Sequence, residues 1–276
     1  MSAPTPSEAR SPEDARSLPI GVFDSGVGGL TVAAALRARL PAESILYLGD
    51  TARLPYGTKS PETVLRYTRK NIAFLTGRRV KAVVVACNTA SALAVPHLEA
   101  ALPLWGVIEP GAARAAAASA GRVGVIATES TIRSDAYAAA LRRLRPDLHV
   151  LSRACPLFVP LVEEGWTDDE VAETVARRYL APLLEAGIDT LVLGCTHYPL
   201  LAPVLERVAG PAVTLVDSAS AVAEQVAGEL EARGLAAPAG APGDLHACVT
   251  DTAEQFRRLA ERILAGEATF ELVDVT

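Results

Sequence analysis

Short apolar runs recur along this chain, and several of them end on small polar residues. Ile20-Gly21-Val22-Phe23, Ile45 to Leu48, Val83-Val84-Val85, Leu104 to Ile108, Val123-Gly124-Val125-Ile126, Leu191-Val192-Leu193 and Val213 to Val216 all have this form. They are too short for helices and rich in β-branched residues, so they read as strands. Most are apolar at successive rather than alternate positions, the pattern of strands buried on both faces of a parallel sheet. Helical stretches fall between them. Leu30 to Leu40 is Ala/Leu-rich and stopped by Pro41, and a further helix starts at about Ala90. Ser60 can cap a helix whose first turn accepts Pro61. Thr167-Asp168-Asp169-Glu170 reads as a capping box. Another helix runs from Asp217-Ser218 to about Arg233, and Ala237 to Gly243 is a loop. Gly49 to Lys59 is a long connection in which Pro and Gly disfavour regular structure.

The pattern is written twice. Val123 to Thr131 repeats the strand, polar loop and helix of Ile20 to Gly29, and a cysteine follows each opening glycine at a similar separation: 66 residues from Gly21 to Cys87, 71 from Gly124 to Cys195. The expectation is an α/β protein of two pseudo-symmetric three-layer domains with parallel sheets and a site in the cleft between them. Residues 18–112 with 217–276 would form the domain carrying Asp24 and Cys87, because the C-terminal part is expected to return to the first half. Residues 113–216 would form the domain carrying Glu163, Cys195 and His197. Met1 to Ser17 reads as a flexible tail.

Composition narrows the function classes. Half of the 276 residues are hydrophobic, enough for a substantial core, and the net charge is −6 without any basic run, which disfavours a nucleic-acid partner. No apolar h-region or membrane-spanning run appears, so the expectation is a cytoplasmic protein free of membrane. Four widely spaced cysteines without a C-x-x-C suit free thiols better than a disulfide framework.

Cys87 and Cys195 each close an apolar strand, at the sheet edge where open α/β folds bind ligands. Each is followed at once by hydrogen-bonding side chains, Asn88-Thr89 and Thr196-His197. Cys155 and Cys248 lack such a setting and read as structural. Free cysteine usually packs as a small hydrophobe, so the case rests on the two settings together. Two thiols on facing halves suit inversion of a stereocentre, which needs a base on one face of a carbon and an acid on the other. A thiol, with a pKa of about 8.5, serves in either form. Asp24 and His197 stand where they would tune the transfers. Glu163 is a third candidate, although a Glu163-Glu164 pair on a helix is ordinarily a solvated face. Ser25, Asn88, Thr89, Thr128, Thr131 and Thr196 offer donors for an anionic amino acid held without arginine, although each Ser or Thr alone would serve as a helix cap. Three rival readings use fewer of these residues. Gly26-Val27-Gly28-Gly29 does not match a dinucleotide fingerprint. A zinc site from Cys87, Asp24, Cys195 and His197 has an uncommon C-x-H spacing. A thiol redox sensor leaves the flanking donors unexplained.

Phe23 to Val32, Pro55-Tyr56-Gly57, Ala86-Cys87-Asn88-Thr89-Ala90, Phe158 to Glu164, Gly194-Cys195-Thr196-His197-Tyr198-Pro199 and Asp217-Ser218 together resemble the glutamate racemases of the cofactor-independent aspartate/glutamate racemase superfamily. The resemblance spans roughly Pro19 to Leu230. It implies interconversion of L- and D-glutamate without pyridoxal phosphate, other cofactor or metal, supplying D-glutamate for the bacterial cell wall, and a homodimer. It makes Cys87 the base for D-glutamate, supported by Asp24, and Cys195 the base for L-glutamate, supported by Glu163 and His197. Substrate contacts fall on Asp24, Ser25, Tyr56, Gly57, Asn88, Thr89, Thr128, Thr131, Thr196 and His197. Aspartate, or another amino acid, is the alternative substrate within the superfamily.

Overall fold

The computed structural model describes residues 15–252, 254–265 and 269–275, apart from the side chain of Gln255. Among the described residues ten strands form two parallel sheets. The first contains β1 (Ile20–Asp24), β2 (Ile45–Gly49), β3 (Ala82–Val85), β4 (Leu104–Gly106), β9 (Leu245–Val249) and β10 (Glu271–Leu272), in the order β10-β9-β2-β1-β3-β4. The second contains β5 (Arg122–Ala127), β6 (His149–Ala154), β7 (Thr190–Gly194) and β8 (Thr214–Asp217), in the order β6-β5-β7-β8. Four strands of the first sheet, β2-β1-β3-β4, therefore have the same order as the whole of the second, and β9 and β10 extend the sheet beyond β2. Every residue of β1, β2, β3 and β7 is buried, as unbroken apolar runs in a doubly covered parallel sheet require.

The register fixes the working edge. Phe23 pairs with Val85 across β1 and β3, and Ala127 pairs with Gly194 across β5 and β7. Asp24 and Cys87 thus leave the first sheet side by side, as Thr128 and Cys195 leave the second. Helices α1 (Leu30–Arg39), α2 (Pro61–Gly77), α3 (Asn88–Leu93), α4 (Ile108–Ala118), α5 (Glu129–Arg133), α6 (Ala136–Leu144), α7 (Phe158–Glu164), α8 (Glu170–Glu185), α9 (Ala202–Ala209), α10 (Ser218–Ala232) and α11 (Glu254–Leu264) cover the sheets and connect the strands. α10 packs against both α1 and α4, burying Val222, Val226 and Leu230. Each such side chain contributes about 1.5–3 kcal/mol of apolar burial. Among the described residues no helix is long and apolar enough to cross a membrane.

Local details depart from the sequence reading in five places. The run at Leu104 ends as a strand at Gly106, and Ile108 already opens α4. The helix after β3 starts at Asn88 rather than Ala90, because Cys87 itself caps it: its Sγ accepts from the Ala90 N–H at 3.5 Å. The capping box at Thr167 does not form. Asp169, a stronger acceptor, caps α8 through the Ala172 N–H at 2.8 Å, and the Thr167 hydroxyl accepts from Arg262 instead. Cys155 does stand at a strand end, directly after β6, a strand the hydrophobic pattern did not single out. Finally, residues 1–14 of the tail lie outside the described residues, while its last part is tied down. Arg16 donates to the Ala236 carbonyl at 3.0 Å, and its own carbonyl accepts from Lys81 at 2.8 Å.

Candidate active site

Both strand-end thiols line one small cavity between the sheets, of about 30 Å³. Ser25, Tyr56, Gly57, Asn88, Thr89, Thr128, Glu163, Thr196 and His197 line it with them. Larger surface clefts exist, one of them lined by Thr58, Ser60, Ser130 and Ser134, but those clefts hold no cysteine. Asp24 and Thr131 stand one layer behind.

On the first side, the Cys87 thiol lies 3.6 Å from the Ser25 hydroxyl. Burial pushes this thiol up to about 12, and the Asp24 charge adds to that. Asp24 is itself fully buried. Its Oδ2 accepts from the Gly26 and Gly29 N–H groups, both at 3.1 Å, while Oδ1 has no partner. Burial raises its carboxyl above the usual range against the pull of His197 and these amides. The glycine loop therefore spends two N–H groups on Asp24, which further weakens a phosphate-binding reading.

On the second side, the Cys195 thiol is 3.9 Å from His197 Nδ1, and His197 Nε2 is 3.4 Å from Glu163 Oε1. The latter is an ion-pair distance without hydrogen-bond alignment. Burial pulls the imidazole down, but the Cys195 sulfur and the Glu163 carboxylate outweigh it and hold it up at about 10. The two thiols thus have opposite company: a buried carboxylate for Cys87, and an imidazole that stays protonated at neutral pH for Cys195.

That imidazole makes a prediction about stability. Its pKa is raised from 6.5 to about 10 on folding, so its contribution is complete below 6.5 and is lost as pH climbs through 10. Urea unfolding should therefore show the native chain losing stability between pH 7 and 10 faster than a His197→Asn variant. Parallel pH profiles would rule out a charged His197.

Four contacts tie the two sides together around the cavity. Thr89, Thr128 and Thr131 form a triangle of hydroxyls with edges of 3.0, 3.2 and 2.9 Å. Ser130 donates to the Gly57 carbonyl at 2.7 Å. Thr31 donates to the Thr196 carbonyl at 3.3 Å, and Tyr137 donates to Asn88 Oδ1 at 2.6 Å. Gly57 and Gly28 permit close approach. A Cβ on Gly57 would lie 2.8 Å from Thr128 Cβ, and one on Gly28 would lie 2.6 Å from His197 Nδ1. Tyr56 presents its ring side, since its hydroxyl is turned away to Asp50 and Asn71. Gly28's role against His197, Ser130 and Tyr137 were not legible in the sequence. Each acts on a residue far along the chain, and Tyr137 sits in an otherwise unremarked Ala-rich helix.

The zinc reading finds no support among the described residues. Their one convergent set of metal-type donors is His246, Cys248 and Glu271, on the outer strands. Glu271 there is already held by Arg78 and His246, which keep its carboxyl down at about 2.

Comparison with known proteins bears on this constellation. The Asp/Glu/Hydantoin racemase family model matches residues 30–226. A glutamate racemase from Geobacter metallireducens is 57% identical over 251 residues, covering 90% of this chain and 93% of that one. The structure of glutamate racemase isoform RacE1 from Bacillus anthracis superposes with a TM-score of 0.90 at 39% identity, covering 94% of this chain and 98% of that one. A Francisella tularensis glutamate racemase solved with D-glutamate gives 0.88 at 37% identity, with the same coverage.

Proposed function

The chain belongs to the Asp/Glu/hydantoin racemase family, and from that membership we propose that it is a glutamate racemase working by proton transfer between two cysteines. The observation that carries the mechanism is the pairing of Cys87 and Cys195 in one cavity with neighbours of opposite charge type. Relatives at 46–57% identity are glutamate racemases, which favours glutamate over aspartate as the substrate.

In the proposed reaction the Cα–H bond of L-glutamate breaks and its proton passes to the Cys195 sulfur as thiolate, whose negative charge the His197 imidazolium offsets. The electron pair left on Cα spreads into the α-carboxylate. Cys87, a thiol at neutral pH, gives its proton to the opposite face. The enzyme is left in the mirrored state, with Cys87 as thiolate and Cys195 as thiol, which is the form that takes D-glutamate. Once formed, the Cys87 thiolate is a strong base for the same reason that it forms reluctantly: it is buried beside a carboxylate. Asp24 and His197 are assigned the return of protons between turnovers. Ser25, Asn88, Thr89, Thr128 and Thr196 are assigned the substrate's carboxylates and ammonium, with Thr131 supporting Thr128. Gly57 and Tyr56 shape the wall, and Glu163 holds His197.

We assign residues 18–112 with 217–276 to one domain and 113–216 to the other. We also propose a cytoplasmic homodimer that feeds D-glutamate to cell-wall synthesis. Sedimentation of the purified chain reads its oligomeric state, and depletion in its host should create a requirement for added D-glutamate. The direct test of the activity is L-glutamate in D2O with no cofactor added. The α-proton signal should vanish as the circular dichroism decays toward zero. Decay with L-aspartate alone would move the chain to the sister activity.

A further inference from the structure

Behind Asn88 stand two polar groups that the reaction above does not use, Tyr137 and Ser218. Tyr137, on α6 of the second side, is buried and reaches across to Asn88, the first residue of α3 on the first side. Its hydroxyl donates to Asn88 Oδ1 at 2.6 Å. Ser218, at the start of α10, stands beside the same hydroxyl: a Cβ on Gly111 would lie 3.3 Å from both Ser218 Cβ and the Tyr137 oxygen. Asn88 lines the cavity and is itself buried, yet its Nδ2 has no partner in the protein.

The direction of these bonds settles which way the amide points. A tyrosine hydroxyl has one hydrogen and accepts through its oxygen. The Tyr137 hydrogen goes to Asn88, and only Oδ1 of the amide can receive it. Nδ2, with two hydrogens, is left for the cavity. The tyrosine ring has little room to reorient. A Cβ on Gly194 would lie 3.0 Å from its Cε2, and one on Gly111 would lie 3.3 Å from its hydroxyl and from Ser218 Cβ. A buried donor without a partner is costly to keep, so an unpaired Nδ2 beside two strand-end thiols calls for an acceptor from outside the chain.

We infer that Tyr137, with Ser218 beside it, is a positioning residue that locks the Asn88 amide so that Nδ2 donates to a carboxylate oxygen of the bound amino acid. The inference rests on the proposed glutamate chemistry. Without the tyrosine hydroxyl Oδ1 loses its donor, and an amide that turns over presents an oxygen to the anion. The contact is made to substrate and transition state alike, so its loss appears in KM more than in kcat.

A double-mutant cycle separates this role from a merely structural one. Tyr137→Phe should raise KM for both enantiomers about tenfold, the size of one hydrogen bond to a charged group, with kcat changing less. In an Asn88→Ala background the same change should cost nothing further, because the amide it acts through is gone. Ser218→Ala serves as the second variant should Tyr137→Phe fail to fold. It should raise KM about two- to threefold, and this effect too should vanish with Asn88→Ala. Equal losses in both backgrounds, or an unchanged KM in the single variants, overturn the inference. A native chain that turns over neither enantiomer removes the racemase reading and this inference with it. An active native chain with additive losses removes the inference alone.

Discussion

Cys87→Ser and Cys195→Ser should each slow interconversion of the glutamate enantiomers by about 10²–10⁴-fold, the usual worth of a positioned acid or base. The fold should survive both changes. Serine is close to cysteine in volume, and at position 87 its oxygen is a better helix cap than the sulfur that accepts from Ala90 there. Because the two thiols have different neighbours, the two variants should fail differently. Cys87→Ser keeps Cys195 beside His197, so exchange of the α-hydrogen of L-glutamate in D2O should outlast its optical conversion. Cys195→Ser keeps Cys87 beside Ser25 and Asp24, so the same should hold for D-glutamate. Proton NMR reads the exchange and circular dichroism the conversion. Conversion within tenfold of the native rate in either variant would falsify a two-cysteine mechanism.

Gly28→Ala should be nearly as damaging to activity although it adds one methyl group. That Cβ would lie 2.6 Å from His197 Nδ1, 2.7 Å from its Cε1 and 2.7 Å from Thr196 Oγ1. Distances this short are not tolerated, so the histidine or the loop must move. His197 is held between Cys195 and Glu163, and a shift of its ring breaks the 3.9 Å contact that couples it to the thiol. Misplacement of a catalytic group by about 1 Å costs on the order of 10²-fold, and that is the loss anticipated in kcat/KM. Stability should fall by only about 1–3 kcal/mol, the ordinary cost of overpacking. Because much of the damage passes through His197, adding Gly28→Ala to His197→Asn should cost less than adding it to the native chain, the remainder reading the clash with Thr196. Steady-state kinetics on the two single variants and the double checks this. Full additivity would show that Gly28 acts elsewhere.

Much of the architecture was written locally. A strand buried on both faces is apolar along its middle, so β1, β2, β3 and β7 could be read from their apolar runs although β1 ends on Asp24 and β7 opens on Thr190. A strand with mixed exposure such as β6, His149–Ala154, carries no such run and was missed, and with it the strand-end place of Cys155. Helix starts were legible where one residue type decides them, as at Ser60, whose side chain accepts from the Thr63 N–H. They were misread where two candidates compete, as Thr167 and Asp169 do.

The same division holds in the site. By itself the sequence determined that two thiols stand at two strand ends with polar neighbours, because a strand and the residues that follow it are contiguous in the chain. It could not determine which distant side chains meet them. That Glu163 leaves an apparently solvated helix face to reach His197, that Gly28 must be bare for His197 to fit, that Tyr56 turns its hydroxyl to Asp50, and that Tyr137 aims Asn88 were all decided by the packing of one sheet's edge against the other. These pairs lie tens to more than a hundred residues apart, apart from Tyr56 and Asp50, whose meeting depends on how a loop folds back. No periodicity, cap or turn preference encodes such contacts. They exist only once the two halves close on one another and bury the groups that line the cavity between them.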